Sequence, residues 1–189
     1  MVSLMNRIGI IGAMELEVEE LISKLENQSY VTECATIDLD EQIRQSILLL
    51  EPKWAEKEIE LDVDLERIDY EGNKALMMHV WNNLIDNAIK FTPEKSTVSI
   101  ALRKDGDRVI FTVDDEGEGI AEEDAGHIFD KFYQCDSSHK QEGNGLGLAL
   151  VKRILDFIGG EISAENIDGG CRFTVKLKIS KNNQKINKN

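Results

Sequence analysis

One stretch in the middle of the chain carries an apolar stripe and a polar stripe, both at helical spacing. The apolar set recurs at intervals of four, four and three and comprises Val80, Leu84, Ala88 and Phe91. The polar set recurs at intervals of three and four along the same segment and comprises His79, Asn83, Asp86, Asn87 and Lys90. Together they predict one helix over about residues 73–91, stopped by Pro93.

The polar stripe favours a helix that faces a polar ligand or an ion. Asparagine is a poor helix former, so two of them one turn apart, Asn83 and Asn87, need a physical reason. Buried amides without partners are unfavourable, and a polar ligand would satisfy them. A solvated outer face is the alternative, and this helix alone does not decide between the two.

Upstream, the pattern predicts a bent helix followed by a half-buried strand. Asp38 with Glu41 three residues later is typical of a capping box at a helix start. The helix would bend at Pro52 and bury Ile43, Ile47, Leu50 and Trp54. Residues 59–63 alternate apolar and acidic side chains, which predicts a strand.

Downstream, the clearest signal is a β-hairpin. Residues 98–102 and 109–113 alternate apolar and polar side chains on either side of Asp105-Gly106. A glycine-rich stretch without a clear period follows over residues 114–147.

The last part of the chain predicts one helix and two strands. Leu148–Ile158 has helical spacing and ends at Gly159-Gly160. The strands cover residues 161–165 and 172–179. The whole pattern predicts the α+β class: a two-layer α/β sandwich with a mixed, mostly antiparallel sheet and helices on one face.

Composition indicates an ordinary globular domain. Of the 189 residues, 41% are hydrophobic and 31% are charged, enough to bury a core. The net charge of −14 argues against nucleic acid or an anionic membrane as partner. The three widely spaced cysteines indicate free thiols. The sequence contains no membrane span or secretory signal, so we expect this chain to be cytoplasmic. The same location is expected if the chain is a fragment of a protein that is anchored in a membrane.

The two ends of the chain differ from its middle. Residues 1–26 indicate a short strand and a helix, and the segment from Ile8 to about Leu25 is similar to the start of the methylthioadenosine/adenosylhomocysteine nucleosidases. Because nothing further on supplies the rest of that enzyme, we expect a fused or tag-derived leader. Alternatively, residues 21–28 end a longer helix that begins outside this sequence. Residues 181–189 are polar, and we expect a disordered tail.

Three segments in a fixed order carry the candidate chemistry. The asparagine-bearing helix comes first, residues 114–120 (Asp-Asp-Glu-Gly-Glu-Gly-Ile) follow a strand, and residues 143–148 (Gly-Asn-Gly-Leu-Gly-Leu) precede a helix. Glycines before a helix let backbone amides approach an anion, and the helix N-terminus adds partial positive charge. A glycine repeat alone is a weak signal, whereas this order of segments is restrictive.

In this order the segments resemble the ATP-binding catalytic domain of sensor histidine kinases, within the ATPase superfamily that includes gyrase and MutL. The resemblance covers about residues 25–179, so the expected domain is 27–180. It implies ATP and Mg²⁺ as cofactors, and transfer of the γ-phosphoryl group to a histidine on a dimerisation domain absent from this sequence. The implied partners are that phosphoacceptor domain and a response regulator. The fragment itself is expected to be monomeric.

The resemblance assigns catalytic roles to the central helix. Asn87 matches the residue that holds Mg²⁺ against the phosphates, and Asn83 would support that site. Lys90 would reach a phosphate, and Phe91 would lie beside the nucleotide. The predicted catalytic residues are thus Asn83, Asn87 and Lys90.

The glycine-rich segments would supply the remaining nucleotide contacts. Asp115 matches the carboxylate that accepts a hydrogen bond from the adenine amino group, and Gly117 and Gly119 would let the chain turn beneath the base. Residues 128–133 match the F-box, and residues 134–142 match the lid. The other predicted contacts are Ile120, Lys131, Phe132, Gly143, Gly145, Leu146, Gly147 and Leu148.

Three features of the sequence, set against the family pattern, bear on mechanism. Gln134 stands where many relatives have Arg, so phosphate clamping would fall to Lys90, Lys131 or Lys140. No histidine here lies in a phosphoacceptor pattern, so the chain lacks a substrate histidine of its own. Asn83 occupies the position of a general-base Glu in hydrolysing relatives, and an amide cannot take a proton.

Asn83 therefore predicts slow hydrolysis and an external imidazole as phosphoryl acceptor. Two alternatives stay open: a stand-alone anti-sigma-type serine kinase, and a non-enzymatic nucleotide-sensing interaction module. The nucleosidase activity suggested by the first residues is the weakest hypothesis.

Overall fold

A computed structural model describes residues 16–27, 33–134 and 144–179 of the chain. The helices are α1 (residues 16–26), α2 (Leu39–Leu49), α3 (Glu51–Glu56), α4 (Lys74–Phe91) and α5 (Gly147–Ile158). The strands are β1 (Ala35–Asp38), β2 (Glu60–Leu65), β3 (Asp69–Gly72), β4 (Thr97–Asp105), β5 (Arg108–Asp115), β6 (Glu161–Ile167) and β7 (Gly170–Lys178).

Five of the strands form one mixed sheet in the order β2-β4-β5-β7-β6. Only the β2–β4 pair is parallel within this sheet, and the other three pairs are antiparallel. One face of the three central strands is almost fully buried, through Val98, Ile100, Leu102, Val109, Phe111, Val113, Phe173, Val175 and Leu177. This arrangement confirms the predicted α+β class and its mostly antiparallel sheet.

Helix α4 occupies the centre of the buried layer. Asn73 caps it by accepting a hydrogen bond from the Leu76 amide at 2.9 Å. The fully buried Trp81 packs against Phe111 of β5, with ring centroids 4.7 Å apart. Its indole N–H donates to the buried Gln42 of α2 at 3.0 Å. Apolar packing thus fixes α4 to the sheet, and a satisfied polar contact ties it to α2.

The structure places the start of α2 where it was predicted, but without the predicted capping hydrogen bond. The helix does follow Asp38, but the Asp38 side chain makes no capping hydrogen bond. Instead Asp38 lies opposite Asp69 in the β1–β3 ladder, and the hydrogen bond between the two carboxyl groups raises the pKa of Asp69. The predicted bend near Pro52 is a break at Leu50, which separates α2 from α3.

The ends of the chain are described only in part. Ile22 and Leu25 of α1 are buried in the same core as the sheet. The strand predicted within residues 1–15, the nucleosidase-like segment as a whole and the polar tail lie outside the described residues. The division into a leader and a catalytic domain therefore stays a prediction. Among the described helices, none has the length and apolarity needed to cross a bilayer.

Candidate functional site

The polar stripe of α4 faces the start of α5. Asn83 and Asn87 are both half-buried on this helix. Asn83 donates through Nδ2 to the His79 carbonyl at 2.7 Å. A Cβ built on Gly147 would lie 2.7 Å from Asn83 Oδ1. Glycine at this first position of α5 therefore lets the helix N-terminus, with its free amides, come up against the asparagine stripe.

The last turn of α4 is held by a residue that the sequence analysis missed. Lys57 donates through Nζ to the carbonyls of Ile89, Lys90 and Thr92 at 2.9, 2.7 and 2.8 Å. Helices leave their last carbonyls without partners, and a cation there also complements the helix dipole. Burial lowers the pKa of Lys57. Lys57 thus fixes the main chain around Lys90 and Phe91.

Asp115 ends β5 as a buried carboxylate, 5% exposed. The Gly117 amide donates to its Oδ1 at 2.9 Å. Burial raises the pKa of Asp115, and this outweighs the opposite effect of backbone hydrogen bonds from Gly117 and Cys171. A carboxylate that is buried yet supplied with N–H donors is held in one orientation, as recognition of a polar ligand requires.

The first glycine segment meets the end of α4. A Cβ built on Gly117 would lie 2.8 Å from Asp115 Oδ1 and 3.0 Å from the Phe91 carbonyl oxygen. Thr92 is fully buried beside Phe91, and its Oγ1 has no hydrogen-bond partner among the described residues. This corner therefore holds the buried Asp115 carboxylate and, beside Phe91, a buried hydroxyl without a partner among the described residues.

The second glycine segment meets the F-box. Gly145 has a φ of +69°, and a Cβ there would lie 2.7 Å from the Tyr133 carbonyl oxygen. The Phe132 amide donates to the Gly145 carbonyl at 3.0 Å. Phe132 has a φ of +64° and is 60% exposed, whereas Leu146 is buried. Glycine at position 145 is what allows the two main chains to touch.

The candidate phosphate-binding lysines occupy different surroundings. Lys131 pairs with Glu26 of α1 at 2.8 Å, and Arg153 of α5 pairs with the same carboxylate at 3.0 Å. Lys90 is half-buried on α4, which lowers its pKa, and its Nζ lies 4.9 Å from the Phe91 ring centre. Lys140 lies outside the described residues, as do Gly143 and most of the predicted lid.

The donor set suits a nucleotide-bound Mg²⁺ more than a cage of protein ligands. Within the described ranges, no group of three or more histidine, cysteine, aspartate or glutamate side chains is placed to hold a metal. Asn87 offers a carboxamide oxygen one helical turn after Asn83 on the polar stripe of α4. Mg²⁺ prefers oxygen ligands and is commonly bound through one or two side chains plus phosphates and water.

The chain matches the family model described as histidine kinase-, DNA gyrase B- and HSP90-like ATPase over residues 72–181. It belongs to this ATPase family. The matched segment runs from the end of β3 through β7 and contains every residue predicted for the site, whereas α1, α2 and α3 lie outside it. The predicted histidine kinase-type fold and catalytic-domain membership are thereby confirmed.

Relatives of the chain include a sensor protein and histidine kinases. The heme sensor protein HssS of Staphylococcus epidermidis is 37% identical over 159 residues, which cover 84% of this chain and 34% of that protein. The Acinetobacter baumannii histidine kinase AdeS has a TM-score of 0.79 at 25% identity, over 94% of this chain and 83% of that one. The histidine kinase ThkA, solved with the response regulator TrrA, has a TM-score of 0.72 at 25% identity, over 96% and 53%. The chain thus spans about a third of HssS.

Proposed function

We propose that this chain is the ATP-binding catalytic module of a two-component sensor histidine kinase. Its reaction would be transfer of the γ-phosphoryl group of Mg·ATP to a histidine on a separate phosphoacceptor domain. The observation that carries the proposal is the meeting of α4 with both glycine segments. Asn83 abuts Gly147 near the middle of α4, and Phe91 abuts Gly117 beside Asp115 at the end of α4.

Asp115 suits recognition of adenine. Its carboxylate accepts hydrogen bonds, and the exocyclic amine of adenine is a donor. Guanine carries a carbonyl oxygen at the same ring position, which would face the carboxylate oxygen with repulsion. Because Asp115 is held by backbone amides in a buried setting, it would discriminate strongly between the two bases.

The asparagine stripe and the α5 N-terminus suit the triphosphate. Bound Mg²⁺ would neutralise part of the phosphate charge, with Asn87 as its protein ligand. The free amides at the start of α5 favour an anion, and Lys90 would add a positive charge. Asn83 supplies no base, so the acceptor must be nucleophilic without one, as neutral imidazole is.

A response regulator is the expected recipient of the phosphoryl group after the histidine. The related kinase ThkA was solved with such a protein, which supports this partner. We also propose that the fragment acts as a monomer in the cytoplasm, with Mg²⁺ as its metal.

Phosphoryl transfer with labelled ATP tests the proposal. The chain is mixed with the phosphoacceptor domain of a related sensor kinase, with an acceptor whose histidine is replaced by glutamine as control. Label on the histidine of the first acceptor and none on the second is the expected result. Label on serine would favour an anti-sigma-type serine kinase, and tight ATP binding without any transfer would favour a nucleotide-sensing module.

A further inference from the structure

The hairpin of β6 and β7 lies directly against the Asp115 loop, residues 115–120. Asp115 pairs with Cys171 in the β5–β7 ladder, and Cys171 pairs with Asn166 in the β6–β7 ladder. A Cβ built on Gly170 would lie only 1.7 Å from the Asp115 carbonyl oxygen. The main chain of the hairpin therefore touches the main chain of the loop at its first residue.

Asn166 holds the other end of this loop. Its Oδ1 accepts from the Ile120 amide at 2.7 Å, and its Nδ2 donates to the Ile120 carbonyl at 2.8 Å. One side chain thus satisfies both main-chain groups of Ile120, as a neighbouring strand would. A Cβ on Gly119 would lie 2.8 Å from the same Oδ1, and Gly119 has a φ of +78°. Asn166 therefore fits closely against a backbone that only glycine readily adopts.

The middle of the Asp115 loop needs such an anchor. Two of its residues, Gly117 and Gly119, lack side chains that would fix their path, and glycine gives up more conformational freedom on ordering than any other residue. A cavity of about 270 Å³ lies beside Ile120 and Asn166, bounded by the F-box residue Phe129 and by β6. Without the two hydrogen bonds the loop has space to move into.

We propose that Asn166 is a positioning residue for adenine recognition. It acts through Ile120 on the Asp115 loop and so keeps the Gly117 amide on the Asp115 carboxylate. The inference rests on the proposed function, because it takes Asp115 as the group that reads the base. A purely structural role in the sheet is the competing explanation, and it would affect all nucleotides alike.

The test compares ATP with purine riboside triphosphate, which lacks the exocyclic amine. Asn166→Asp keeps the side-chain shape but replaces the Nδ2 donor with an oxygen that faces the Ile120 carbonyl. We expect about a tenfold loss of ATP affinity from the lost hydrogen bond and the repulsion, with a much smaller loss for the analogue. Ser163→Asp is the control, since it adds the same charge at an exposed position of β6.

The ratio of the two affinities decides the outcome. The inference is overturned if the affinity ratio in Asn166→Asp equals that in the parent, either because neither affinity falls or because both fall by the same factor. If thermal unfolding shows that Asn166→Asp does not fold, Asn166→Ala gives the decision by the same ratio, because it removes both hydrogen bonds without adding charge. A parent that binds ATP and the analogue equally overturns the proposed function and this inference together. A parent that prefers ATP, with a variant that keeps that preference, overturns only the role of Asn166.

Discussion

The two ends of the proposed nucleotide site are built in different ways. At the adenine end, each contact around Asp115 involves main-chain atoms: Gly170 touches the Asp115 carbonyl, the Gly117 amide donates to the Asp115 carboxylate, and the Asn166 side chain bonds the Ile120 main chain. The proposed phosphate end would use Asn87, Lys90 and Lys131, which are side chains of α4 and the F-box, and Lys131 is paired with Glu26 of α1.

Because of this difference, we expect the adenine end to determine which base binds, and the phosphate end to adjust how tightly the nucleotide binds. Main-chain contacts in a sheet cannot shift without breaking the ladder around them. We therefore expect the adenine end to be ordered before any ligand arrives. Partly exposed ion pairs contribute little to stability and exchange partners easily. We therefore expect changes at the adenine end to affect stability and base selectivity together, and changes at Lys131 to alter nucleotide affinity alone.

The largest effect is expected at the point where β7 touches the loop. Gly170→Ala would place its Cβ 1.7 Å from the Asp115 carbonyl oxygen, so main chain must move. We expect the free energy of unfolding to fall by about 3 kcal/mol, measured by urea denaturation, and ATP affinity to fall with it. Gly126→Ala is the control, because nothing lies within 4 Å of its Cβ. Parental stability in Gly170→Ala would show that the loop is not held by β7.

A smaller effect is expected at Lys57, which holds the main chain at the end of α4. Lys57→Met removes three hydrogen bonds to the last turn of α4, and we expect a loss of about 2 kcal/mol in unfolding free energy. Lys95→Met makes the same change nearby at an exposed lysine, whose ion pair with Glu58 is long at 3.7 Å. Equal urea midpoints for the two variants would contradict the role of Lys57.

The smallest effect is expected at the phosphate end. Glu26→Gln removes the carboxylate that engages Lys131 and Arg153, so Lys131 becomes available to a phosphate. We expect unchanged thermal stability and a small gain in ATP affinity that disappears at high salt. Glu20→Gln is the matched control, because its ion pair with Lys24 lies within α1. A loss of ATP affinity in Glu26→Gln alone would mean that the ion pair assists binding.

Long segments with a clear hydrophobic period could be predicted from the sequence. Short strands, and side chains whose partners are main-chain atoms, could not. Helix α4 and the β4–β5 hairpin have enough repeats to define their period. Strands β1 and β3 have four residues each, too few for an alternation to be seen. The predicted capping box did not form, because spacing alone does not fix where the Asp38 side chain points, and it makes no hydrogen bond to the helix amides.

The candidate site shows the same division. Its asparagines, Asp115 and glycines belong to sequence motifs, so they could be predicted from the sequence. Lys57 and Asn166 were missed because their partners are main-chain atoms 32 to 46 residues away, and a carbonyl or amide is present whatever the residue. Gly170 was missed for the same reason, since it fits against a carbonyl of another strand.

The most direct test of a single Mg·ATP site is calorimetric titration of ATP with and without Mg²⁺. The parent should bind ATP more tightly with Mg²⁺ present, and Asn87→Ala should bind with the same low affinity in both conditions. Asn82→Ala, the same change on the neighbouring residue of α4, should keep the parental Mg²⁺ effect. A parent indifferent to Mg²⁺, or an Asn87→Ala variant with the parent's Mg²⁺ response, would contradict the account.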